Sequence, residues 1–126
     1  MNILVIEDDP LHLKLAQHVL DASGCAVSVA EAAEQAVAVI KSGKPDLILL
    51  DMELPGMDGL SLVRKLKSDP ETRDILVVAV TSYPERYPKS EALAAGCEAY
   101  IAKPINTRTL PAQLGTTLRK DASSGG

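Results

Sequence analysis

Three short runs of aliphatic residues constrain the fold of this chain most, namely Ile3–Ile6, Leu47–Leu50 and Ile75–Val80. None of them alternates with polar residues, as a strand with one solvated face would. Such runs are typical of strands buried on both faces of a parallel sheet, whose connections are usually helices. The longest run has six residues, whereas a membrane-spanning helix needs roughly 20. The pattern therefore predicts an α/β domain.

Helical patterns and two weaker strands fill the remaining sequence. Asp9 offers an N-cap for a first helix with Pro10 at its first position, where the missing N–H costs nothing. Asp58 offers the same cap to the third helix. The weaker strands are predicted at Ala26–Ala30 and Ala99–Ala102. Five strands alternating with five helical segments predict a parallel sheet with helices on both faces.

The charge balance excludes one class of function. Seventeen acidic residues oppose thirteen basic ones, for a net charge of −4, so we expect no direct binding to nucleic acid. Acidic residues within the first ten positions are incompatible with a signal peptide, and we expect no contact with a membrane.

The cysteines and the end of the chain suggest a compartment and a domain boundary. Cys25 and Cys97 are too few for a disulfide framework, so we expect reduced thiols in a cytoplasmic protein. The last helix is expected to end near Arg119. We therefore predict one domain over residues 1–119 and a flexible tail over 120–126, which includes the sequence DASSGG.

Polar residues follow four of the predicted strands. Glu7 and Asp8 follow the first strand, Asp51 ends the third, Thr81 follows the fourth and Lys103 follows the fifth. Singly, a threonine or lysine at such a place is usually an ordinary turn residue. Ligands bind at the carboxyl ends of parallel strands, however, and carboxylates crowded there favour Mg²⁺. Together, the five residues predict a site at which a carboxylate attacks phosphorus.

Four segments carry a resemblance to a known family: ILVIEDDP at 3–10, PDLILLDMELPGMDGL at 45–60, VVAVTS at 77–82 and GCEAYIAKPI at 96–105. In their order and spacing, over roughly residues 2–119, the chain resembles a CheY-like response regulator receiver domain of two-component and phosphorelay systems. The resemblance implies a flavodoxin-like, doubly wound sheet with the strand order 2-1-3-4-5.

The resemblance also implies roles for the acidic residues. Asp51 would be the phosphoacceptor, modified by a histidine kinase or a histidine phosphotransfer protein. Asp8, Asp51 and the backbone carbonyl of Glu53 would bind Mg²⁺, with Glu7 acting through water. The chain would then be a signalling module rather than an enzyme.

The same resemblance implies a conformational switch. Thr81 would move toward the phosphorylated residue, Tyr100 would turn inward, and Lys103 would contact the phosphate, followed by a cis bond to Pro104. The output face, formed by the fourth helix, fifth strand and fifth helix, would control a downstream protein or effector domain.

Prolines make the output face unusual. Pro88 disfavours helix before it, so we expect the fourth helix to begin near Lys89, and Pro111 predicts a last helix that begins near Thr109. We therefore expect a partner different from those of regulators with a regular fourth helix.

Other functions remain open. The chain is also compatible with a receiver domain taken from a larger regulator or hybrid kinase. A small phosphohydrolase could use the Asp51-x-Glu53 pair, although such enzymes usually carry aspartate at the second position. A flavin- or nucleotide-binding module would need the glycine-rich turn that is missing after the first strand. His12 and His18 suggest a phosphohistidine carrier, but we expect both on the surface of the first helix.

Overall fold

The computed structural model describes residues 1–54, 56 and 58–124, with side chains described up to Leu118 except at positions 55 and 57. Strands and helices alternate along the chain. The strands are β1 (Asn2–Ile6), β2 (Ala26–Ala30), β3 (Leu47–Asp51), β4 (Leu76–Thr81) and β5 (Ala99–Ala102). The helices are α1 (Pro10–Ala22), α2 (Ala33–Ser42), α3 (Gly59–Ser68), α4 (Lys89–Ala95) and α5 (Leu110–Ser124).

The strands form one parallel sheet in the order β2-β1-β3-β4-β5. This arrangement confirms the predicted doubly wound, flavodoxin-like α/β fold. The three aliphatic strands occupy the centre, and every residue of β3 and β4 is buried. Two-sided burial therefore explains why these runs contain no alternating polar residues.

Alternating residues of the central strands contribute side chains to two hydrophobic cores. Leu4, Ile48 and Val77 face the side covered by α2, α3 and α4. Ile3, Leu47 and Leu76 face the opposite side, which α1 and α5 cover. Because side chains of a strand point alternately to its two faces, each central strand contributes to both cores and fixes both helical layers.

The helix starts follow the predicted signals. The Asp9 carboxylate accepts hydrogen bonds from the N–H groups of Leu11 and His12, with Pro10 beginning α1. Asp58 caps α3 by accepting a hydrogen bond from the N–H group of Leu60. The predicted late start of α4 is confirmed, since Pro88 directly precedes its first residue.

The predicted strand boundaries agree with the structure to within about one residue, and two of the differences along the chain are informative. β4 ends at Thr81 rather than Val80, which makes the threonine the last residue of the strand. α5 begins at Leu110, near the predicted Thr109, but it continues to Ser124 and not only to Arg119. Residues 120–124, expected in a flexible tail, are therefore helical, because extending an existing helix is easy where no proline or glycine intervenes. The last two residues of the predicted tail lie outside the described residues.

The described helices also bear on membrane association. None of them combines the length and the apolar character that crossing a bilayer requires.

Candidate functional site

The carboxyl ends of four neighbouring strands bring the predicted site residues to one edge of the sheet. Glu7 follows β1, Asp51 ends β3, Thr81 ends β4 and Lys103 follows β5. Glu7 and Asp51 are each 5% exposed, and Thr81 is completely buried. Polar groups are seldom buried without partners, so their burial here points to a site rather than to ordinary turns.

Lys103 lies beside the carboxylates of both Glu7 and Asp51. Its Nζ lies 2.8 Å from Glu7 Oε1 and 3.5 Å from Asp51 Oδ2. Burial opposes the charged form of the lysine, but hydrogen bonding to Glu7 and the charges of Asp51 and Glu7 outweigh it and raise its pKa. Lys103 therefore remains a cation beside Asp51. The bond from Lys103 to Pro104 is cis, as the resemblance implied.

Glu7 is the group whose titration the site perturbs most clearly. Burial, followed by the hydrogen bond with Asp51 and the charge of Asp51, raises the pKa of Glu7 to about 7, although Lys103 opposes the shift. When Glu7 is neutral, its carboxyl group can donate a hydrogen bond to Asp51. When Glu7 is charged, a cation in addition to Lys103 is needed to offset the repulsion between the two carboxylates.

The acidic group has a composition that suits a magnesium ion. Glu7, Asp8 and Asp51 can each offer one carboxylate oxygen, and these oxygens lie within 4.8 Å of one another. Asp8 is exposed, which leaves room for the waters that Mg²⁺ retains.

Two loops meet beside Asp51. The Glu53 N–H donates to Asp51 Oδ1 at 3.0 Å, and the Glu53 carboxylate accepts from the Ser82 N–H at 2.7 Å. The Thr81 hydroxyl oxygen accepts from the Tyr83 N–H at 2.9 Å. Its hydroxyl hydrogen can still be donated to another acceptor.

Tyr100 lies on β5, half-buried against the core beneath α2, α3 and α4. Its hydroxyl donates to the Tyr87 carbonyl at 2.6 Å. Burial raises the pKa of Tyr100, and the charges of Glu53 and Glu85 add to this effect. The residue therefore connects the sheet with the segment that leads into α4.

Two contacts were missed by the sequence analysis. His12 is exposed on α1 as predicted, yet its Nδ1 lies 3.4 Å from Glu7 Oε1. The position of His12 in the first turn of α1, shortly after the acidic residues, was the sequence feature that could have indicated this contact. His18 is exposed as expected. The bond from Ser82 to the Glu53 side chain had no signal, because it joins two loops 29 residues apart.

Comparison with known proteins identifies the family of this chain. The profile of the response regulator receiver domain matches residues 3–115. The chain belongs to this family. It is thus a receiver domain of the kind that two-component systems use, in which such domains act with histidine kinases and effector domains.

Named relatives of this receiver domain differ in length. The phosphate regulon transcriptional regulatory protein PhoB of Pseudomonas aeruginosa is 40% identical over 119 residues, which are 94% of this chain and 52% of PhoB. The polar-differentiation response regulator DivK of Brucella ovis is 36% identical over 105 residues, 83% of this chain and 85% of DivK. This chain therefore spans about half the length of the first relative and most of the second.

The fold has close counterparts among solved structures. The crystal structure of a CheY-like receiver domain protein from Methanospirillum hungatei superposes with a TM-score of 0.88 at 29% identity, covering 98% of this chain and 97% of that one. The likeness supports the observed strand order and helix placement over nearly the whole chain.

Proposed function

We propose that this receiver domain is a phosphoacceptor signalling module. Transfer of a phosphoryl group from a phosphohistidine to Asp51, dependent on Mg²⁺, changes the face formed by α4, β5 and α5, which then controls a partner protein or effector domain. The observation that supports this most is the environment of Asp51, with Lys103 Nζ at 3.5 Å and carboxylate oxygens of Glu7 and Asp8 within 4.8 Å.

The transfer step follows from this arrangement. An Asp51 carboxylate oxygen attacks phosphorus, and the O–P bond forms as the P–N bond breaks. The electron pair of the broken bond stays on the imidazole nitrogen, which takes a proton from water. Lys103 and the Thr81 hydroxyl stabilise the negative charge on the phosphoryl oxygens.

The residues present fit a magnesium ion that contributes to this step. Asp8, Asp51 and the main-chain carbonyl of Glu53 would hold it directly, and Glu7 through water. Bound Mg²⁺ supplies positive charge to the phosphoryl oxygens and keeps the acidic residues ionised.

The conformational response involves Thr81 and Tyr100. A phosphoryl group on Asp51 gives the buried Thr81 hydroxyl an acceptor, so Thr81 moves toward it. Tyr100, half-buried on the neighbouring strand, turns inward to fill the space. Moving a two-state equilibrium from 1:99 to 99:1 takes about 5.5 kcal/mol, which a few charge-assisted hydrogen bonds can supply.

A surface beside Lys103 suits the phosphodonor, either a histidine kinase or a histidine phosphotransfer protein. A groove of about 340 Å³ lies between α1 and the segment after β5, lined mainly by apolar side chains such as Ala16, Val19 and Ile105. Leu11 and Leu15 of α1 are 73% and 45% exposed. An apolar helix that carries the phosphohistidine could pack there and direct its ring toward Asp51.

We place the protein in the cytoplasm, where the free thiols of Cys25 and Cys97 would stay reduced. The chain acts as a signalling module and not as an enzyme with steady turnover. It functions alone or within a longer regulator, and its short α4, preceded by Tyr83–Pro88, favours a partner specific to this output face.

Incubation with Mg²⁺ and acetyl phosphate, followed by intact mass measurement, tests the proposal. We expect one added phosphoryl group on the wild-type chain and none on Asp51→Asn. Glu34→Gln, which removes an exposed carboxylate on α2, is the matched control and should be modified like wild type. No addition to the wild-type chain would contradict the proposal, and continuous Asp51-dependent release of phosphate would indicate a phosphohydrolase.

A further inference from the structure

The carboxylate of Glu53 joins the loop after β3 to the loop after β4. Its Oε1 accepts the Ser82 N–H at 2.7 Å, while its own N–H donates to Asp51 Oδ1 at 3.0 Å. Hydrogen bonds to a charged acceptor are shorter and about twice as strong as neutral ones. This contact therefore holds two loops that flank the proposed phosphoacceptor in one relative position.

The second carboxylate oxygen of Glu53 is in an unfavourable state. Oε2 is buried and has no hydrogen-bond partner among the described residues. The carboxylate is also not part of the acidic group formed by Glu7, Asp8 and Asp51 in the described part of the chain. A buried carboxylate oxygen without a donor is costly, so this arrangement is one that the protein can leave readily.

The Ser82 N–H points toward β3, the strand that ends in Asp51. The Val80 carbonyl accepts from Met52 on the β3 side, and the Thr81 carbonyl accepts from Lys103 on the β5 side. Because strand residues alternate in direction, the N–H of Ser82 faces β3. A fixed backbone N–H beside a carboxylate that becomes phosphorylated is suited to donate to a phosphoryl oxygen.

We propose that the Glu53 carboxylate is an internal anion that occupies the Ser82 N–H in the unphosphorylated protein and has to be displaced by a phosphoryl group on Asp51. The inference rests on the proposed function of Asp51 as phosphoacceptor. Glu53 is then a positioning residue that opposes phosphorylation in two ways. Its carboxylate blocks the Ser82 N–H, and its negative charge repels the phosphoryl group. Its displacement frees the loop that leads to α4.

The first test concerns the contact itself and needs no phosphorylation. In NMR spectra of the full chain, the Ser82 amide proton should resonate downfield and exchange slowly in wild type. Glu53→Ala should raise its exchange rate about tenfold, and Glu53→Gln, which keeps an acceptor oxygen, should preserve most of the protection. Glu85→Ala, which removes an exposed charge near Tyr100, should leave it unchanged. Equal exchange in wild type and Glu53→Ala would overturn the contact.

The second test concerns displacement, with beryllium fluoride and Mg²⁺ as the phosphoryl analogue. Glu53→Ala should bind the analogue about tenfold more tightly than wild type, Glu53→Gln should lie between them, and Glu85→Ala should match wild type. Simple loss of structure would weaken binding, so tighter binding distinguishes displacement from misfolding. Equal or weaker binding by Glu53→Ala would overturn displacement. If wild type and every variant fail to bind, the proposed function fails, whereas Ser82 exchange still reports on the contact.

Discussion

The hydroxyl of Tyr100 donates a hydrogen bond to the main-chain carbonyl of Tyr87, at 2.6 Å. Tyr87 directly precedes Pro88, which caps α4, so the bond fixes the entrance of that helix to β5. The Arg86 guanidinium lies 6.0 Å and 5.7 Å from the ring centres of Tyr83 and Tyr87. All three tyrosines of the chain thus belong to the segment before α4 or contact it directly.

Tyr100→Phe should loosen this segment without removing the packed ring. Loss of one hydrogen bond should lower the free energy of unfolding by about 1 kcal/mol. Amide exchange should become faster around Tyr87, whose carbonyl loses its donor, and remain as in wild type in β1 and β3. Tyr83→Phe, at a 47% exposed position, is the control and should change little. Unchanged exchange around Tyr87 would mean that the bond does not hold the segment.

Glu7 should make the metal-free protein less stable as the pH rises. Its pKa is 4.5 without perturbation and about 7 in the folded chain, chiefly because of burial. A group with a raised folded-state pKa contributes stability that is complete below the unfolded value. That contribution is lost as the pH rises through the folded value. Between pH 4.5 and 7 the loss should be on the order of 3 kcal/mol, at 1.36 kcal/mol per pKa unit.

Urea unfolding in the presence of EDTA at several pH values measures this effect. Glu7→Gln should remove most of the pH dependence in this window, whereas Glu34→Gln on the exposed face of α2 should retain it. A parallel carboxyl NMR titration should give a midpoint near pH 7 for Glu7. A midpoint at the ordinary value would show that burial does not control this carboxyl.

The two cysteines should differ in reactivity. Cys97 is buried, and burial together with the charge of Glu98 raises the pKa of its thiol to about 12, whereas Cys25 is half-buried. The thiolate is the reactive form. At pH 8, an aromatic disulfide reagent should label one thiol in the folded wild type and two in urea. The Cys25→Ser variant should show no label until it unfolds; prompt labelling would place Cys97 within reach of solvent.

The sequence predicts the sheet and the rim of the site because both follow from local rules. Uninterrupted aliphatic runs such as Leu47–Leu50 are buried on both faces, and parallel strands necessarily gather Glu7, Asp51 and Thr81 at one edge. The cap at Asp9 is equally local, since it depends only on its own helix.

Other features depend on tertiary placement and were not predictable in this way. The bond between Glu53 and Ser82 requires the side-chain rotamer of one loop and the backbone direction of another. The proximity of His12 to Glu7 depends on the angle at which α1 leaves β1. The continuation of α5 from Arg119 to Ser124 could not be read from the sequence, because weak helix propensities do not define a terminus where no proline or glycine occurs.

Gly59, the first residue of α3, should not tolerate a side chain. A Cβ placed there would lie 2.9 Å from Met52 Cα and 3.2 Å from Met52 O, both in the backbone beside Asp51. Met52 is completely buried, so neighbouring atoms leave its backbone little space to move into. Gly59→Ala should therefore lower the free energy of unfolding by about 1–3 kcal/mol, the usual cost of overpacking.

Gly43→Ala is the matched control for this substitution. Gly43 has an extended backbone with φ of −174°, and a Cβ there would meet no atom within 4 Å. The free energy of unfolding of Gly43→Ala should stay within about 0.5 kcal/mol of the wild-type value, or rise slightly because alanine restricts the unfolded chain. Urea unfolding followed by circular dichroism compares the two variants. Equal midpoints would show that α3 can move away from Met52.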